Sequence, residues 1–224
     1  MREIAEMQQE QIIYVVDDDE GIREGLGLLL ETTGQSVKLY SSAVDFLDDY
    51  NDKIYGCLIL DIRMPRMSGL DLQERLNAIG TTLPIIFITG HGDIPMAVEA
   101  MRKGALDFIR KPFREQDLLD RINQALSIAA GRSKHKRQSS AMLSKLALLS
   151  VRERQIFERV AKGDMNKVIA HDLCISERTV EVHRSQVMKK LDVKTMAELV
   201  RLKLQEENLA SEQEQLLSLT NTSI

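Results

Sequence analysis

The chain has 224 residues, 43% of them hydrophobic and 29% charged, enough for one large core or two modest ones without disulfides or a structural metal. Its two cysteines, Cys57 and Cys174, lie far apart, which excludes a disulfide framework and zinc spacing and points to a reducing cytoplasm. No apolar run is long enough for a membrane span, and Met1–Gln11 is too polar and acidic for a signal peptide. The formal net charge of −4 is uneven: Met1–Ser127 has 13 Lys+Arg against 22 Asp+Glu, Ile128–Leu204 has 17 against 8, and Gln205–Ile224 has four Glu and no base. Only the second of these stretches suits a polyanion.

The first 127 residues alternate strand and helix signals. Gln11–Asp17 is a short apolar run rich in β-branched residues, and Glu20–Thr32 follows with Ile22, Leu26, Leu29 and Leu30 at helical spacing and Gly34 as a C-cap. Gln35–Tyr40 reads as a strand, and Ser41 or Ser42 caps a helix reaching about Tyr50. Gly56–Asp61 is almost wholly apolar before its terminal carboxylate, as a strand covered on both faces should be. Then come an amphipathic helix over Gly69–Ile79, a buried-type strand over Leu83–Thr89, a helix capped by Asp93 and ended by Gly104, a strand over Leu106–Arg110 and a helix over Arg114–Ala129. Five strands alternating with five helices predict an α/β doubly wound, five-stranded parallel sheet of flavodoxin-like type.

Residues 129–145 form a polar, basic linker with no core periodicity, read as a solvated connector rather than a DNA contact. Leu148–Lys203 reads as four helices with short turns, and the segment after Leu204 as a polar tail that briefly extends the last helix.

In a doubly wound sheet the active crevice lies beyond the C-terminal strand ends. That places Asp17, Asp18 and Asp19, Asp61, Thr89 and Lys111 together. Carboxylates sharing a cleft repel, and a divalent cation with hard oxygen ligands relieves the repulsion; Mg²⁺ suits such a set. A metal, a hydroxyl and an ammonium around one carboxylate make a phosphoryl-binding site.

The segments VVDDDEGIR, LILDIRMPRMSGLDL and FITGHGDIPMAVEAMRKGALDFIRKPF resemble the receiver domain of two-component response regulators of the FixJ type. The resemblance implies that Asp61 is the phosphoacceptor, that Asp18 and Asp61 ligate Mg²⁺ with the backbone carbonyl of Arg63, and that Asp17 acts mainly through water. It implies that Thr89 hydrogen-bonds the phosphoryl group, that Lys111 pairs with it ahead of an often cis bond to Pro112, and that Phe108 is the aromatic switch partner of Thr89. Gly21 departs from the family's common Pro. Met96, Val98, Met101 and Ile109 are candidates for the family's dimer surface, and a Met at this spacing is also a usual core residue. A phosphoaspartate hydrolase would need an acid two residues after its nucleophile, where this chain has Arg63, and the aspartates after the first strand would repel the phosphate of a mononucleotide.

In the basic region Asn166–Leu173, a break at Cys174–Ser176 and Glu177–Leu191 have helix-turn-helix spacing, with Ser176 as N-cap. Val180, Val187 and Leu191 fall on one face, while Glu181, Val182, Ser185, Gln186 and Lys189 fall largely on another. An exposed Val among polar residues suits a thymine methyl in the major groove. Lys167, Arg178, Thr179, Arg184, Lys189 and Lys190 are placed to reach phosphates. The segment from LSVRERQIF to TMAELVRL resembles the LuxR-type DNA-binding domain, which makes Glu177–Leu191 the recognition helix and Glu181, Val182 and Ser185 its base-contacting positions. Glu181 and Ser185 stand where some relatives carry Lys. His183 reads as packing or a phosphate contact, Cys174 as a small packing residue in the turn, and His91, His135 and His171 are too scattered for a metal.

The domains expected are a receiver over 11–128, the linker over 129–145, an all-α four-helix helix-turn-helix domain over 146–205 and the tail over 206–224. The function implied is a regulator phosphorylated on Asp61 by a sensor histidine kinase, dimerising on phosphorylation, binding promoter DNA and activating transcription through RNA polymerase. An adaptor that binds protein rather than DNA is the alternative.

Overall fold

The computed structural model describes residues 10–51, 53–90 and 94–221, with side chains described as far as Ser211. The chain divides into two compact units, Met1–Lys134 and His135–Ile224.

The first unit runs β1 (Ile12–Val16), α1 (Glu20–Thr32), β2 (Ser36–Tyr40), α2 (Ala43–Asp49), β3 (Gly56–Asp61), α3 (Gly69–Ala78), β4 (Ile85–Thr89), α4 (Ile94–Arg102) and β5 (Asp107–Arg110), and then enters α5 (Glu115–Ala147). Every strand pair is parallel, in the order β2-β1-β3-β4-β5. Successive strand residues face opposite sides. Tyr14, Val16, Leu58, Leu60 and Phe87 therefore pack with α2, α3 and α4, while Ile13, Val15, Ile59, Ile86 and Ile88 pack with α1 and α5. β3 is buried along its whole length, as its unbroken apolar run requires. The outer strands β2 and β5 are only half covered, and they expose Lys38 and Arg110.

Short polar side chains set the helix starts. Asp19 accepts from the N–H of Ile22, and Ser42, not Ser41, caps α2. Ser68 and Asp71 exchange hydrogen bonds in a capping box on α3. Asp93, the expected cap of α4, lies outside the described residues, as do His91 and the first nine residues. Two glycines are fixed by close approach: a Cβ on Gly56, at φ +143°, would stand 1.8 Å from the carbonyl oxygen of Ile12, and one on Gly69 would stand 2.2 Å from that of Asp61.

The last helix of this unit does not stop near Ala129. α5 continues to Ala147 through the residues read as a solvated connector. Those residues are mostly good helix formers without proline, and one glycine, Gly131, does not break them. Leu118, Ile122 and Leu126 of α5 belong to the first core, and Arg132 donates to the carbonyl of Thr82 at 2.7 Å. Met142 and Leu146, one turn apart, are buried in the second core, a spacing too short to stand out in the sequence.

The second unit adds α6 (Val151–Ala161), α7 (Asn166–Asp172), α8 (Glu177–Leu191) and α9 (Met196–Asn221). Ile156, Phe157, Val160, Ile169, Val180, Val187, Leu191 and Leu199 form its core. Ser150 and Glu153 make a capping box on α6. Cys174 takes a positive φ of 52° in the turn before α8, Ser176 caps α8 by accepting from the N–H of Thr179, and Asp192 ends it in the left-handed region. α9 outruns the expected end near Leu204. Leu209 packs against the core, and Glu206, expected in a free tail, pairs with Arg154 and with Lys203 at 3.1 Å. No helix among the described residues is long and apolar enough to cross a membrane.

Candidate functional site

The parallel sheet delivers its chemistry at one edge. β1 ends on Val16, with Asp17 next; β3 ends on Asp61, β4 on Thr89, and Lys111 follows β5. Asp17, Asp61 and Thr89 are 1%, 6% and 1% exposed. The ammonium of Lys111 bridges the carboxylates, donating to Asp17 Oδ2 at 2.6 Å and to Asp61 Oδ1 at 3.0 Å. Its backbone N–H donates to the carbonyl of Thr89 at 2.8 Å, which ties the lysine to the end of β4. The bond from Lys111 to Pro112 is cis.

Each carboxylate is held on both oxygens. Asp17 Oδ1 accepts from the N–H of Asp19 at 3.0 Å, and Asp61 Oδ2 accepts from the N–H of Arg63 at 2.7 Å. Arg23 donates to the carbonyl of Asp17 at 2.7 Å, and Gly69 lets α3 start against the backbone of Asp61. Neither Arg23 nor Gly69 was singled out in the sequence, because nothing in their local pattern marks a contact with a carbonyl elsewhere in the chain. Asp18 is exposed beside the pocket, while Asp19 serves α1 as its cap.

One cation for two buried anions sets the electrostatics. Burial pushes the carboxyl of Asp61 above the ordinary range, and Asp17 adds to this; Lys111 and the N–H of Arg63 offset only part. For Lys111 burial works against the charge, but hydrogen bonds and attraction from both carboxylates win and hold its ammonium above its usual value. The donor set is wholly oxygen. Among the described residues no three His, Cys, Asp or Glu side chains stand ready as a closed metal cage. Mg²⁺ needs only one or two carboxylates and keeps several waters, so the set fits that ion.

Phe87 pairs with Phe108 and Thr89 with Arg110 in the β4–β5 register, so Thr89 and Phe108 are diagonal neighbours on the face turned to α4. Ile94, Val98 and Met101 form an exposed apolar stripe on α4. Met96 packs into the core instead. Ile109 leaves the proposed dimer surface altogether: strand alternation turns it to the opposite face, against the cluster that includes α1 and α5.

In the second unit α8 buries Val180, Val187 and Leu191 and exposes Arg178, Glu181, Val182, Ser185, Gln186 and Lys189. Val182 is 47% exposed on the same face. Lys167, Ser176 and Lys189 are exposed too, and Thr179 is half-buried. Two expected phosphate contacts are engaged inside the unit. Arg184 donates to Asn166 Oδ1 and to the sulfur of Met196, joining the starts of α7 and α9. Lys190 donates to Glu153 at 2.6 Å and to the carbonyl of Leu148 at 3.1 Å. The hydrogen bond from Lys190 and that from the N–H of Ser150 hold the carboxyl of Glu153 down to about 2. The spacing S-x-x-E at Ser150–Glu153 is the sequence signal for this anchor. His183 is half-buried, and its Nδ1 is enclosed without a hydrogen-bond partner.

Two families match the two units. The response regulator receiver domain matches residues 13–123, and the luxR family of bacterial regulatory proteins matches residues 147–203. Response regulator protein TmoT of Ectopseudomonas mendocina is 50% identical over 194 residues, 87% of this chain and 88% of that protein. The chain belongs to the luxR-type response regulators. This response regulator is also 44% identical over 192 residues to transcriptional regulatory protein FixJ of Azorhizobium caulinodans, covering 86% of the chain and 91% of FixJ. The solved structure of response regulator StyR superposes with a TM-score of 0.81 at 46% identity, covering 86% of this chain and 98% of that one. The regulator therefore pairs a receiver fold with a helical DNA-binding domain. It is a transcriptional regulator rather than an enzyme, and the adaptor alternative finds no support.

Proposed function

We propose that this regulator accepts a phosphoryl group on Asp61 from a sensor histidine kinase, and that the modified receiver promotes dimerisation and DNA binding. The observation that carries the reading is Lys111 spanning Asp17 and Asp61 at 2.6 and 3.0 Å in a buried pocket. One oxygen of Asp61 attacks the phosphorus of a phosphohistidine. The new P–O bond forms as the P–N bond breaks, and the imidazole of the kinase leaves with the electron pair. The N–H of Arg63 steadies the carboxylate, and the Lys111 ammonium is placed to neutralise the phosphoryl oxygens. Asp18, Asp61 and the carbonyl of Arg63 would hold Mg²⁺. Asp17 would act through water, since Mg²⁺ keeps several waters of its own. Bound there, the ion supplies positive charge to the phosphoryl oxygens.

Thr89 donates its hydroxyl to the phosphoryl group, and Phe108, its diagonal neighbour, follows. That couples the pocket to the α4 surface, where the stripe of Ile94, Val98 and Met101 offers apolar area to a second copy. In the output domain α8 enters the major groove. Glu181, Val182 and Ser185 face base edges there, and Lys167, Ser176, Thr179 and Lys189 face phosphates. Arg184 and Lys190 orient α8. A contact with RNA polymerase then activates transcription in the cytoplasm.

The experiment is treatment of wild type and Asp61→Asn with a small phosphodonor and Mg²⁺, read by intact mass, sedimentation and DNA affinity. Wild type gains one phosphoryl group, sediments as a dimer and binds DNA more tightly; the variant does none of these. Equal labelling of the variant would sink the assignment of Asp61.

A further inference from the structure

We infer that Glu181 makes this regulator demand a cytosine in each half of its DNA site; the inference rests on the DNA-reading role of α8 given above. Glu181 is the fifth residue of α8, within the N-terminal part that reaches base edges in a helix-turn-helix. On the exposed face opposite Val180, Val187 and Leu191 it is the one carboxylate, beside Arg178, Val182, Ser185 and Lys189. Glu177, the other acid of the helix, sits at its first position on the flank.

A carboxylate on this face has an energetic problem. It must approach a polyanion, and among the described residues its ionic partner is Arg178, at 3.3 Å, with both side chains more than half exposed. Such a pair is weak, and Arg178 is easily given up to a phosphate. The charge must then be met by a donor from a base edge. In the major groove guanine offers two acceptors, thymine an acceptor and a methyl, and adenine a donor beside the N7 acceptor. Cytosine alone offers a donor, its N4 amine, with no acceptor of its own next to it. A Glu181 oxygen accepting from that amine is repaid there and repelled or poorly matched elsewhere. Ser185, one turn on and on the same side, is short and uncharged. It leaves the carboxylate unneutralised, where a lysine would blunt the discrimination. Val182, about 100° further round the helix, reaches a neighbouring step and suits a thymine methyl.

The test uses the full chain treated with phosphodonor and Mg²⁺ to select duplexes from a randomised pool, as wild type, Glu181→Gln and Glu181→Ala. Glu181 is exposed, so the variants keep the fold, which circular dichroism checks. Wild type is expected to fix cytosine at one position in each half-site, preferring it by about 5- to 100-fold over other bases. Glu181→Ala loses the preference at that position and keeps the rest of the site. Replacing that cytosine by a pyrimidinone lacking the N4 amine weakens wild type by a similar factor and leaves Glu181→Ala unchanged. A cytosine preference that survives in Glu181→Ala, or wild-type binding indifferent to loss of the amine, overturns the inference while the DNA reading stands. A phosphorylated wild type that enriches no sequence overturns both.

Discussion

Replacing Lys111 by methionine keeps most of the side chain's length and removes its charge. What remains is Asp17 and Asp61, 1% and 6% exposed, facing each other without the shared cation. At an effective dielectric of about 20, ionic contacts of 2.6 and 3.0 Å are each worth about 5–6 kcal/mol before desolvation. Much of that offsets the burial of the three charges, and removing one partner of a buried ion pair typically costs about 3–5 kcal/mol net. We expect Lys111→Met to lose about 3 kcal/mol at neutral pH. All four tyrosines, Tyr14, Tyr40, Tyr50 and Tyr55, lie in the receiver and the chain has no tryptophan, so tyrosine fluorescence in urea follows that unit alone. The pH dependence has a definite sign. The carboxyl of Asp61 already sits above its ordinary value of 3.8, and without Lys111 it rises further. A raised folded pKa penalises the folded state once the group ionises, so the deficit is largest at neutral pH and shrinks as pH falls toward about 4. Asp61→Asn in the Lys111→Met background should recover part of the loss, since one buried anion is gone. A variant as stable as wild type at neutral pH, or a deficit that grows in acid, would refute the reasoning.

Two further outcomes follow from contacts described above. Gly69→Ala places a methyl 2.2 Å from the carbonyl of Asp61, so α3 or β3 must shift. It should cost about 1–3 kcal/mol by the same fluorescence assay and slow phosphodonor labelling, and a variant normal in both would contradict the contact. Glu153→Gln weakens the Lys190 bridge and the α6 capping box and should cost the helical domain about 1–2 kcal/mol, read by circular dichroism. Because the folded carboxyl is held down from 4.5 to about 2, its contribution is present above pH 4.5 and lost as pH falls toward 2. The variant should lack that part of the acid sensitivity; an unchanged acid profile would show that the bridge contributes nothing.

The receiver was largely legible because its strands announce themselves. Apolar runs such as Gly56–Asp61 end in a polar residue, and the rule for parallel sheets gathers those ends without further information. The buried stripe of α8 and the exposed Val182 were legible for the same reason, since both are consequences of a period. What escaped depends on distant partners. Met142 looked like part of a polar connector because one apolar residue near its end makes no pattern without the core it enters. Arg184 and Lys190 read only as cations placed to reach phosphates, because a basic residue on a helix gives no sign of whether Asn166 or Glu153 waits across the fold. Ile109 was misassigned because β5 is four residues long, too short for alternation to declare itself.

The strands that close the sheet have a bearing on how this protein behaves when crowded. β2 and β5 are the positions at which a parallel sheet can recruit a stranger and grow. Each is short, five and four residues, and each carries a base on its exposed side, Lys38 on one and Arg110 on the other. Two β5 edges would bring Arg110 against its own copy, whereas Lys38 on β2 is paired with Asp49 at 3.0 Å. Short edges with a charged residue disfavour edge-to-edge polymerisation, so at high concentration the receiver offers its helix surfaces more readily than its strands.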